Sequence, residues 1–168
     1  TLPTKGNWGY FHEFGHNAQD GRWTFAGTGE VTCNLFSLYL GERMCGIEPW
    51  DNPWLNNQKK SLEPHLAAGA PFDEWKRKPG LALLFYAIVQ RELGWEPIAA
   101  ALQSYHDGVR TPDDQAKRDA WLRRLSRATG KDLGPYFEAM GVPTSAAARD
   151  ELAADESLEP WMPVELAP

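Results

Sequence analysis

The sequence predicts a mostly α-helical fold, and three observations support that prediction. Between residues 81 and 88, apolar side chains recur at the spacing of one helix face. Helix start signals precede several segments, the strongest being Thr111-Pro112-Asp113-Asp114, where acids occupy the first turn. No segment shows the alternation of apolar and polar residues that would predict a half-buried strand.

The predicted helices follow one another along the chain. The first spans residues 8–19, and the second follows Thr28, a suitable N-cap, and spans residues 29–40. Residues 46–64 are predicted as a loop because three prolines interrupt them. Further helices are predicted at residues 81–93, 97–105, 111–129, 132–140 and 144–154, where glycines or prolines mark most of the boundaries.

Length and charge limit the possible partners and the domain organisation. The chain has 168 residues, enough for one domain, and we assign residues 1–158 to that domain and residues 159–168 to an extended tail or linker. Its net charge of −6 disfavours a nucleic-acid partner. No apolar run approaches the roughly 20 residues that span a bilayer, so we expect no membrane span. Two cysteines, Cys33 and Cys45, are too few for a disulfide framework.

The segment His12-Glu13-Phe14-Gly15-His16 carries the clearest chemical signal. On a helix its two histidines lie one turn apart on the same face, so that both imidazoles can bind one ion. Zinc suits such ligands, and Glu13 is placed beside the ion without binding it. There it would act as a general base, taking a proton from a zinc-bound water and giving it to a leaving amine. The alternative is a histidine pair on a solvated helix face.

The third ligand separates classes of zinc peptidase. A metzincin needs glycine at position 19 and histidine at position 22, where this chain has Gln19 and Arg22. A gluzincin takes a glutamate from a following helix, and Glu30 lies at the start of the second predicted helix. If the two helices pack side by side, His12, His16 and Glu30 would leave a fourth position open for water. Otherwise Glu30 is a helix N-terminal carboxylate that the macrodipole stabilises.

Several other side chains are weaker candidates for the site. Asn34, one turn after Glu30, would hydrogen-bond a ligand or the substrate, or it is a buried polar group satisfied within the fold. Trp23 would line the substrate cleft or pack, and Gly15 would allow a close approach of the second helix. Tyr39, Tyr86 and Tyr105 are candidates to stabilise an oxyanion. His65 and His106 are candidate electrophiles at the site, although a surface position is the favoured interpretation for both.

Two segments, WGYFHEFGHNAQ and WTFAGTGEVTCNLFSLYL, resemble the enhancin-like, mucin-degrading zinc metallopeptidases, a family of the gluzincin type. The likeness consists of a Trp-Gly pair, an H-E-x-G-H-N-x-Q run, a W-T-F segment, a glutamate in an E-V-T-x-N run, and an S-L-Y segment. In this chain these are Trp8-Gly9, residues 12–19, residues 23–25, residues 30–34 and residues 37–39. Residues 93–95, 125–130 and 137–143 also resemble the family.

The resemblance implies a helical metallopeptidase subdomain in which the H-E-x-x-H helix packs on a glutamate-bearing helix. It implies one zinc ion held by His12, His16 and Glu30, with Glu13 as the general base. The implied reaction is hydrolysis of peptide bonds in secreted or surface glycoproteins, often mucin-like. In some cases the resemblance implies recognition of an O-linked sugar beside the cleaved bond. It also implies a location outside the cell or at its surface.

The resemblance leaves alternatives open. The family's catalytic domain extends further on the N-terminal side, so the chain resembles its C-terminal helical part, and the upstream portion would be missing. Some relatives have lost the motif and act as binding domains. A non-catalytic glycoprotein-binding module on the same fold is therefore the alternative function. A third possibility is a structural zinc site closed by Cys33, which lies three residues from Glu30.

Overall fold

The computed structural model describes residues 6–166. Helices make up most of the chain, as the sequence predicts. In chain order they are α1 (Trp8–Ala18), α2 (Gly29–Cys45), α3 (Pro53–Lys59), α4 (Leu62–Ala67), α5 (Phe72–Trp75), α6 (Pro79–Leu93), α7 (Trp95–Gln103), α8 (Asp114–Thr129), α9 (Gly134–Ala139) and α10 (Ala146–Ala153). Short 3₁₀ helices occur at Pro49–Asp51, Ser104–Asp107 and Val164–Leu166. Two short strands, β1 (Lys131–Asp132) and β2 (Glu159–Pro160), pair in parallel.

Helix α6 lies at the centre of the fold, with α2 and α3 packed against it. Every residue from Gly80 to Gln90 is buried, and a helix that is buried on all sides belongs to a core. The ring of Phe85 stacks on Tyr136 with centroids 5.1 Å apart, and the Tyr136 hydroxyl donates to the Phe85 carbonyl at 2.7 Å. The predicted apolar face at residues 81–88 is therefore core. Within residues 6–166, no helix is both long and apolar enough to cross a bilayer.

Residues 46–64 are largely helical, and their prediction as a loop is wrong. Pro53 is the first residue of α3, a position whose backbone N–H has no helical partner in any case. Asn52 caps that helix, because its side-chain oxygen accepts from the Trp54 amide at 2.9 Å. Pro64 lies in the first turn of α4, where it likewise removes no helical hydrogen bond. Two of the prolines in this segment therefore begin helices instead of breaking them.

Helices α1 and α2 form an antiparallel pair whose backbones touch. Gly6, just before α1, lies near Cys45 at the end of α2, whereas Gly15 lies against Cys33. A β-carbon on Gly15 would stand 2.3 Å from the carbonyl oxygen of Cys33 and 2.7 Å from its Cα. Any larger residue would therefore force the two helices apart. The predicted role of Gly15 in close packing is confirmed.

The segment between α1 and α2 is held by a short ion pair and a tight turn. The guanidinium of Arg22 pairs with the Asp20 carboxylate at 2.5 Å, which lowers the pKa of that carboxyl, and it also donates to the carbonyl of Tyr105. Thr28 precedes α2 as predicted, but its side chain does not cap the helix. Its hydroxyl instead accepts from the Phe25 amide at 2.9 Å and donates to the Phe25 carbonyl at 2.7 Å. These contacts fix where α2 begins.

Residues 159–166 lie against the helical part of the chain. Strand β2 pairs with β1, so that Glu159 lies opposite Lys131, and the Trp161 amide donates to the Asp132 carbonyl at 2.9 Å. The Trp161 ring meets Tyr136 of α9 edge-on, with centroids 5.1 Å apart. The segment predicted as an extended tail or linker thus contacts α9, although its last two residues, 167 and 168, lie outside the described residues.

We predict that Gly15→Ala destabilises the protein, although alanine favours helix formation by roughly 1 kcal/mol relative to glycine. The new methyl group would overlap the backbone of Cys33, and overpacking of this kind typically costs about 1–3 kcal/mol. The midpoint of thermal or denaturant unfolding should therefore fall.

Gly41→Ala in α2 is the matched control, because among the described residues a β-carbon at Gly41 would meet no heavy atom within 4 Å beyond its own stretch of helix backbone. It should leave the unfolding midpoint unchanged or raise it. Equal midpoints for the two variants would contradict the close approach of α1 and α2.

Candidate metal centre

Three side chains meet at one end of the α1–α2 pair. His12 and His16 lie one turn apart on α1, and Glu30 in the first turn of α2 faces them. The two imidazole Nε2 atoms are 3.1 Å apart. One carboxylate oxygen of Glu30 lies 3.2 Å from His12 Nε2 and 3.7 Å from His16 Nε2. The structure therefore brings together the three residues that the sequence predicts as a ligand set, while metal binding itself stays a prediction.

The separations of these three atoms suit a tetrahedral ion. Nitrogen and oxygen ligands at about 2.0–2.2 Å from zinc, at tetrahedral angles, stand roughly 3.3–3.6 Å from one another. The observed separations of 3.1, 3.2 and 3.7 Å lie on either side of that range. Two imidazole nitrogens and one carboxylate oxygen are also donor types that zinc takes. Both the donor set and its spacing fit a zinc ion.

A hydrogen bond on the far side of His12 fixes which ring nitrogen faces the cluster. The side-chain amide nitrogen of Asn34 donates to the Glu30 carbonyl at 2.6 Å, so the amide oxygen faces the other way. That oxygen lies 2.8 Å from Nδ1 of His12, which must therefore carry the hydrogen. The lone pair of Nε2 is left directed at the cluster, the usual arrangement for a metal-binding histidine. Asn34 is buried with both ends of its amide hydrogen-bonded, which agrees with both roles that the sequence leaves open for it, a partner of a ligand and a satisfied buried polar group.

The cluster is open to solvent on one side. The side chain of Glu30 is 62% exposed, and those of His12 and His16 are 21% and 32% exposed. A catalytic zinc site keeps one coordination position open, whereas a structural site is closed by protein ligands. Glu13, the predicted general base, is exposed directly after His12. Water or a substrate can therefore reach the three donor atoms.

Cys33 lies on the buried side of the cluster. Its Sγ is 3.6 Å from Nδ1 of His12 and 4.0 Å from Nε2, so it is nearer the nitrogen that bonds Asn34. Burial, with Glu30 as the next cause, raises the pKa of the thiol to about 11. The ligand atoms of Cys33 and the three other residues all lie within 4.8 Å of one another. Cys33 is therefore close enough to the other three donors to belong to one group with them, although its Sγ is nearer to Nδ1 of His12 than to Nε2.

Trp23 packs towards the core. Its half-buried ring meets Tyr105 edge-on, with centroids 5.2 Å apart. Its indole N–H is buried without a hydrogen-bond partner among the described residues. It also lines a small cavity together with Tyr86 and Trp121. The structure gives Trp23 a packing role, and its contact with substrate stays a prediction.

Two of the three tyrosines named as oxyanion candidates are inaccessible. Tyr86 and Tyr105 are buried in the core, and that burial raises the pKa of both hydroxyls. Tyr39 is partly exposed and lies edge-on to Trp95, with ring centroids 5.2 Å apart. Of the three, only Tyr39 therefore offers its hydroxyl at the surface.

The two remaining histidines lie in different environments. His106 is exposed in the Ser104–Asp107 turn, as predicted. His65 is buried, and its prediction as a surface residue is wrong. Helix α4 turns the His65 ring inward, so that Nε2 lies 3.4 Å from the carbonyl oxygen of Met140. His65 thus has a packing position in the core.

Gln19 contacts the cluster, and the sequence analysis did not identify it as a site residue. Its Oε1 lies 2.9 Å from Nδ1 of His16, and its Nε2 lies 2.6 Å from both the Gly29 carbonyl and the Thr32 hydroxyl. Position 19 excludes the metzincin pattern and also ends the H-E-x-G-H-N-x-Q run, but neither observation predicts a role for it. The available signals were that run and the place of Gln19 three residues after His16, just past the end of α1.

Two crystal structures share this fold. Both are described as a functionally unknown conserved protein from Bacillus anthracis str. Ames, the second being a mutant. They match with TM-scores of 0.77 and 0.79, each over 98% of this chain and 33% of theirs, at 23% sequence identity. At that identity the likeness shows the fold alone.

Curated relatives are similar over nearly the whole chain. TRPM8 channel-associated factor 2 of Mus musculus is 37% identical over 163 residues, which are 94% of this chain and 18% of the relative. TRPM8 channel-associated factor 3 of Mus musculus is 36% identical over 167 residues, which are 95% of this chain and 18% of the relative. The human TRPM8 channel-associated factor 2 is 35% identical over 168 residues, 95% of this chain and 17% of the relative. The chain thus spans less than a fifth of the length of these relatives.

A family model described as Peptidase M60, enhancin and enhancin-like, matches residues 1–141. That stretch includes α1, α2 and the core helix α6, and with them Glu13 and the three donors of the cluster. The resemblance drawn from the sequence motifs is confirmed. The chain belongs to the peptidase M60 family, enhancin and enhancin-like.

Proposed function

We propose that this chain forms the metal-binding helical part of a zinc-dependent endopeptidase of the gluzincin type. The observation that carries the proposal is the convergence of His12, His16 and Glu30 on one point that solvent can reach. Membership of a peptidase family supports the same conclusion. The three donors would hold one zinc ion, with Glu13 beside it.

The chain's own residues would share the work of peptide hydrolysis. A bound zinc ion supplies Lewis-acid chemistry, which polarises a carbonyl and lowers the pKa of water. Glu13 accepts a proton from the attacking water and delivers it to the leaving amine. Asn34 keeps His12 in the orientation that directs Nε2 at the site.

The proposed substrates are secreted or surface glycoproteins, mucin-like in character, and the proposed location of the protein is accordingly outside the cell or at its surface. Support for this comes from the family resemblance. Exposed rings on α1 add a surface for substrate, because Tyr10 and Phe14 are 61% and 65% exposed on the same helix as Glu13. Aromatic rings suit both peptide side chains and the apolar face of a sugar.

The second candidate is a non-catalytic module that binds a glycoprotein. The names of the curated relatives favour it, since they describe association with a channel and not a peptidase activity. Such a module would need neither Glu13 nor an open metal position. The retention of both favours hydrolysis in this chain.

We predict that the purified protein binds about one equivalent of zinc and that His12→Ala and His16→Ala remove it. Each change deletes one of three converging donors. Metal analysis after dialysis measures the loss.

Cys33→Ser is the control for this first test. It should retain the metal, because Sγ is 4.0 Å from Nε2 of His12, farther than the 3.1–3.7 Å that separate the other three donors. Full zinc in both histidine variants would refute the ligand assignment, and loss of zinc in Cys33→Ser would instead indicate a closed structural site.

We predict that Glu13→Gln keeps the zinc and lowers peptide hydrolysis by about 10²-fold or more, the usual contribution of general base catalysis. Turnover is measured in the full-length protein. Glu156→Gln, at a glutamate that is also exposed and lies after α10, should leave turnover unchanged. Wild-type turnover in Glu13→Gln would exclude Glu13 as the base.

We predict that the full-length protein cleaves a peptide with an O-linked sugar on Ser or Thr faster than the same peptide without it. Mass spectrometry of timed digests measures both rates. Equal rates would rule out recognition of the sugar. Cleavage of neither peptide, with zinc bound, would favour the binding module, and Trp23→Ala should then weaken glycoprotein affinity without releasing zinc.

A further inference from the structure

We infer that Gln19 is a positioning residue for the metal centre, which orients the ring of His16 and ties it to the start of α2. The inference rests on the proposed function, since the orientation matters only if His16 binds a metal. The side-chain amide of Gln19 has different partners at its two ends, a histidine ring at the oxygen and the start of α2 at the nitrogen. Gln19 is half-buried at the end of α1, directly after the last helical residue.

The neighbours of Gln19 determine which end of its amide faces which group. Its Nε2 lies 2.6 Å from the carbonyl oxygen of Gly29. A carbonyl oxygen only accepts, so a donor must face it, and of the two ends of the amide only the nitrogen can donate. The same nitrogen lies 2.6 Å from the hydroxyl of Thr32, which can accept as well. The amide oxygen therefore faces His16, 2.9 Å from Nδ1.

This orientation fixes the proton on His16. An amide oxygen cannot donate, so Nδ1 of His16 must carry the hydrogen of that bond. In the neutral ring Nε2 then has a free lone pair, and Nε2 is the atom that faces His12 and Glu30. The Asn34 amide likewise requires the hydrogen of His12 to be on Nδ1. Each predicted histidine ligand thus has its own amide partner, and such partners are typically worth about 10–100-fold in metal affinity.

Gln19 also holds the backbone next to the third donor. Gly29, whose carbonyl accepts from Gln19, precedes Glu30, and the carbonyl of Glu30 itself accepts from Asn34. The side-chain amides of Gln19 and Asn34 therefore donate hydrogen bonds to successive carbonyls in the first turn of α2. One side chain, Gln19, thus contacts both the ring of His16 and the carbonyl of the residue before Glu30. A change that removes all of these hydrogen bonds should therefore disturb two donors of the cluster together.

Two substitutions at position 19 separate orientation from anchoring. Gln19→Met has a similar length and removes every hydrogen bond. Gln19→Glu keeps an acceptor for Nδ1 of His16, but it cannot donate to Gly29 or Thr32. If orientation of His16 is the main role, Gln19→Glu should retain the zinc affinity that Gln19→Met loses. If anchoring is the main role, Gln19→Glu is at least as damaging, because it places a carboxylate against a carbonyl.

The first readout is zinc affinity, measured by competition with a chelator at one fixed pH in the full-length protein. We expect Gln19→Met to weaken zinc binding about 10–100-fold and Gln19→Glu to remain within a few-fold of the wild type. Thr32→Val, which removes one anchor and leaves the contact with His16, should also change affinity only slightly. Unfolding midpoints of the metal-free variants show how much each change affects the fold itself.

The second readout needs no metal. Nitrogen NMR of the imidazole rings in the metal-free protein, at a pH where they are neutral, reports which nitrogen carries the hydrogen. In the wild type, His16 should have its hydrogen on Nδ1. In Gln19→Met, it should shift towards a mixture of the form with the hydrogen on Nδ1 and the form with the hydrogen on Nε2. Gln19→Glu should keep the wild-type form, and His12, whose Asn34 partner is unchanged, is the internal reference.

The outcomes distinguish this inference from the proposed function. A wild-type protein that binds no zinc would overturn the proposed function, while the NMR measurement would still test the bond between Gln19 and His16. If zinc binds equally well in Gln19→Met and the form of His16 is unchanged, Gln19 does not position the ligand. If Gln19→Glu and Gln19→Met lose affinity equally, Gln19 only anchors the fold and the inference is wrong.

Discussion

The contact between Gly15 and the backbone of Cys33 is the constraint on which the candidate metal centre depends. Packed helices normally stand about 8–10 Å apart, at a distance set by the side chains between them. With no side chain at position 15, α1 can lie directly on α2, and the residue that follows, His16, then faces the first turn of α2. Glu30 stands in that turn, three residues before Cys33. The distances of 3.2 and 3.7 Å from the Glu30 carboxylate to the two histidines thus depend on the absence of a side chain at position 15.

Helix α2 connects this centre to the rest of the molecule. One side of it is buried in the core through Val31, Leu35 and Leu38 and packs on α6, which is itself buried on all sides. The other side carries Glu30 and Asn34 towards α1. The donor on α2 is therefore held by a helix with little freedom to move, while its carboxylate remains exposed. Precise placement on a rigid element, with access for solvent, is what a site for chemistry requires.

The parts of this arrangement that follow from local geometry could be predicted from the sequence. The one-turn spacing of His12 and His16 needs only a helix, and the start of α2 needs only the turn before Glu30. Features that depend on distant partners could not be predicted in this way. Pro53 begins a helix because Asn52 caps it, and His65 is buried because its helix meets Met140 far along the chain. The partners of Gln19 lie on α2, so its role is apparent only once the two helices are packed together.

The hydrogen bonds of the two amides give the cluster an electrostatic character that the donor distances alone do not show. Because Asn34 and Gln19 place the hydrogens on Nδ1, the neutral rings of His12 and His16 turn two bare lone pairs towards each other at 3.1 Å. The Glu30 carboxylate adds a third acceptor, and no donor stands among the three. Three acceptors at this spacing repel one another, and a single water molecule can donate to only two of them. A divalent cation would interact favourably with all three at once, and its binding would stabilise the folded chain by the free energy of binding. The fold thus holds together three acceptor atoms whose mutual repulsion a bound cation would relieve.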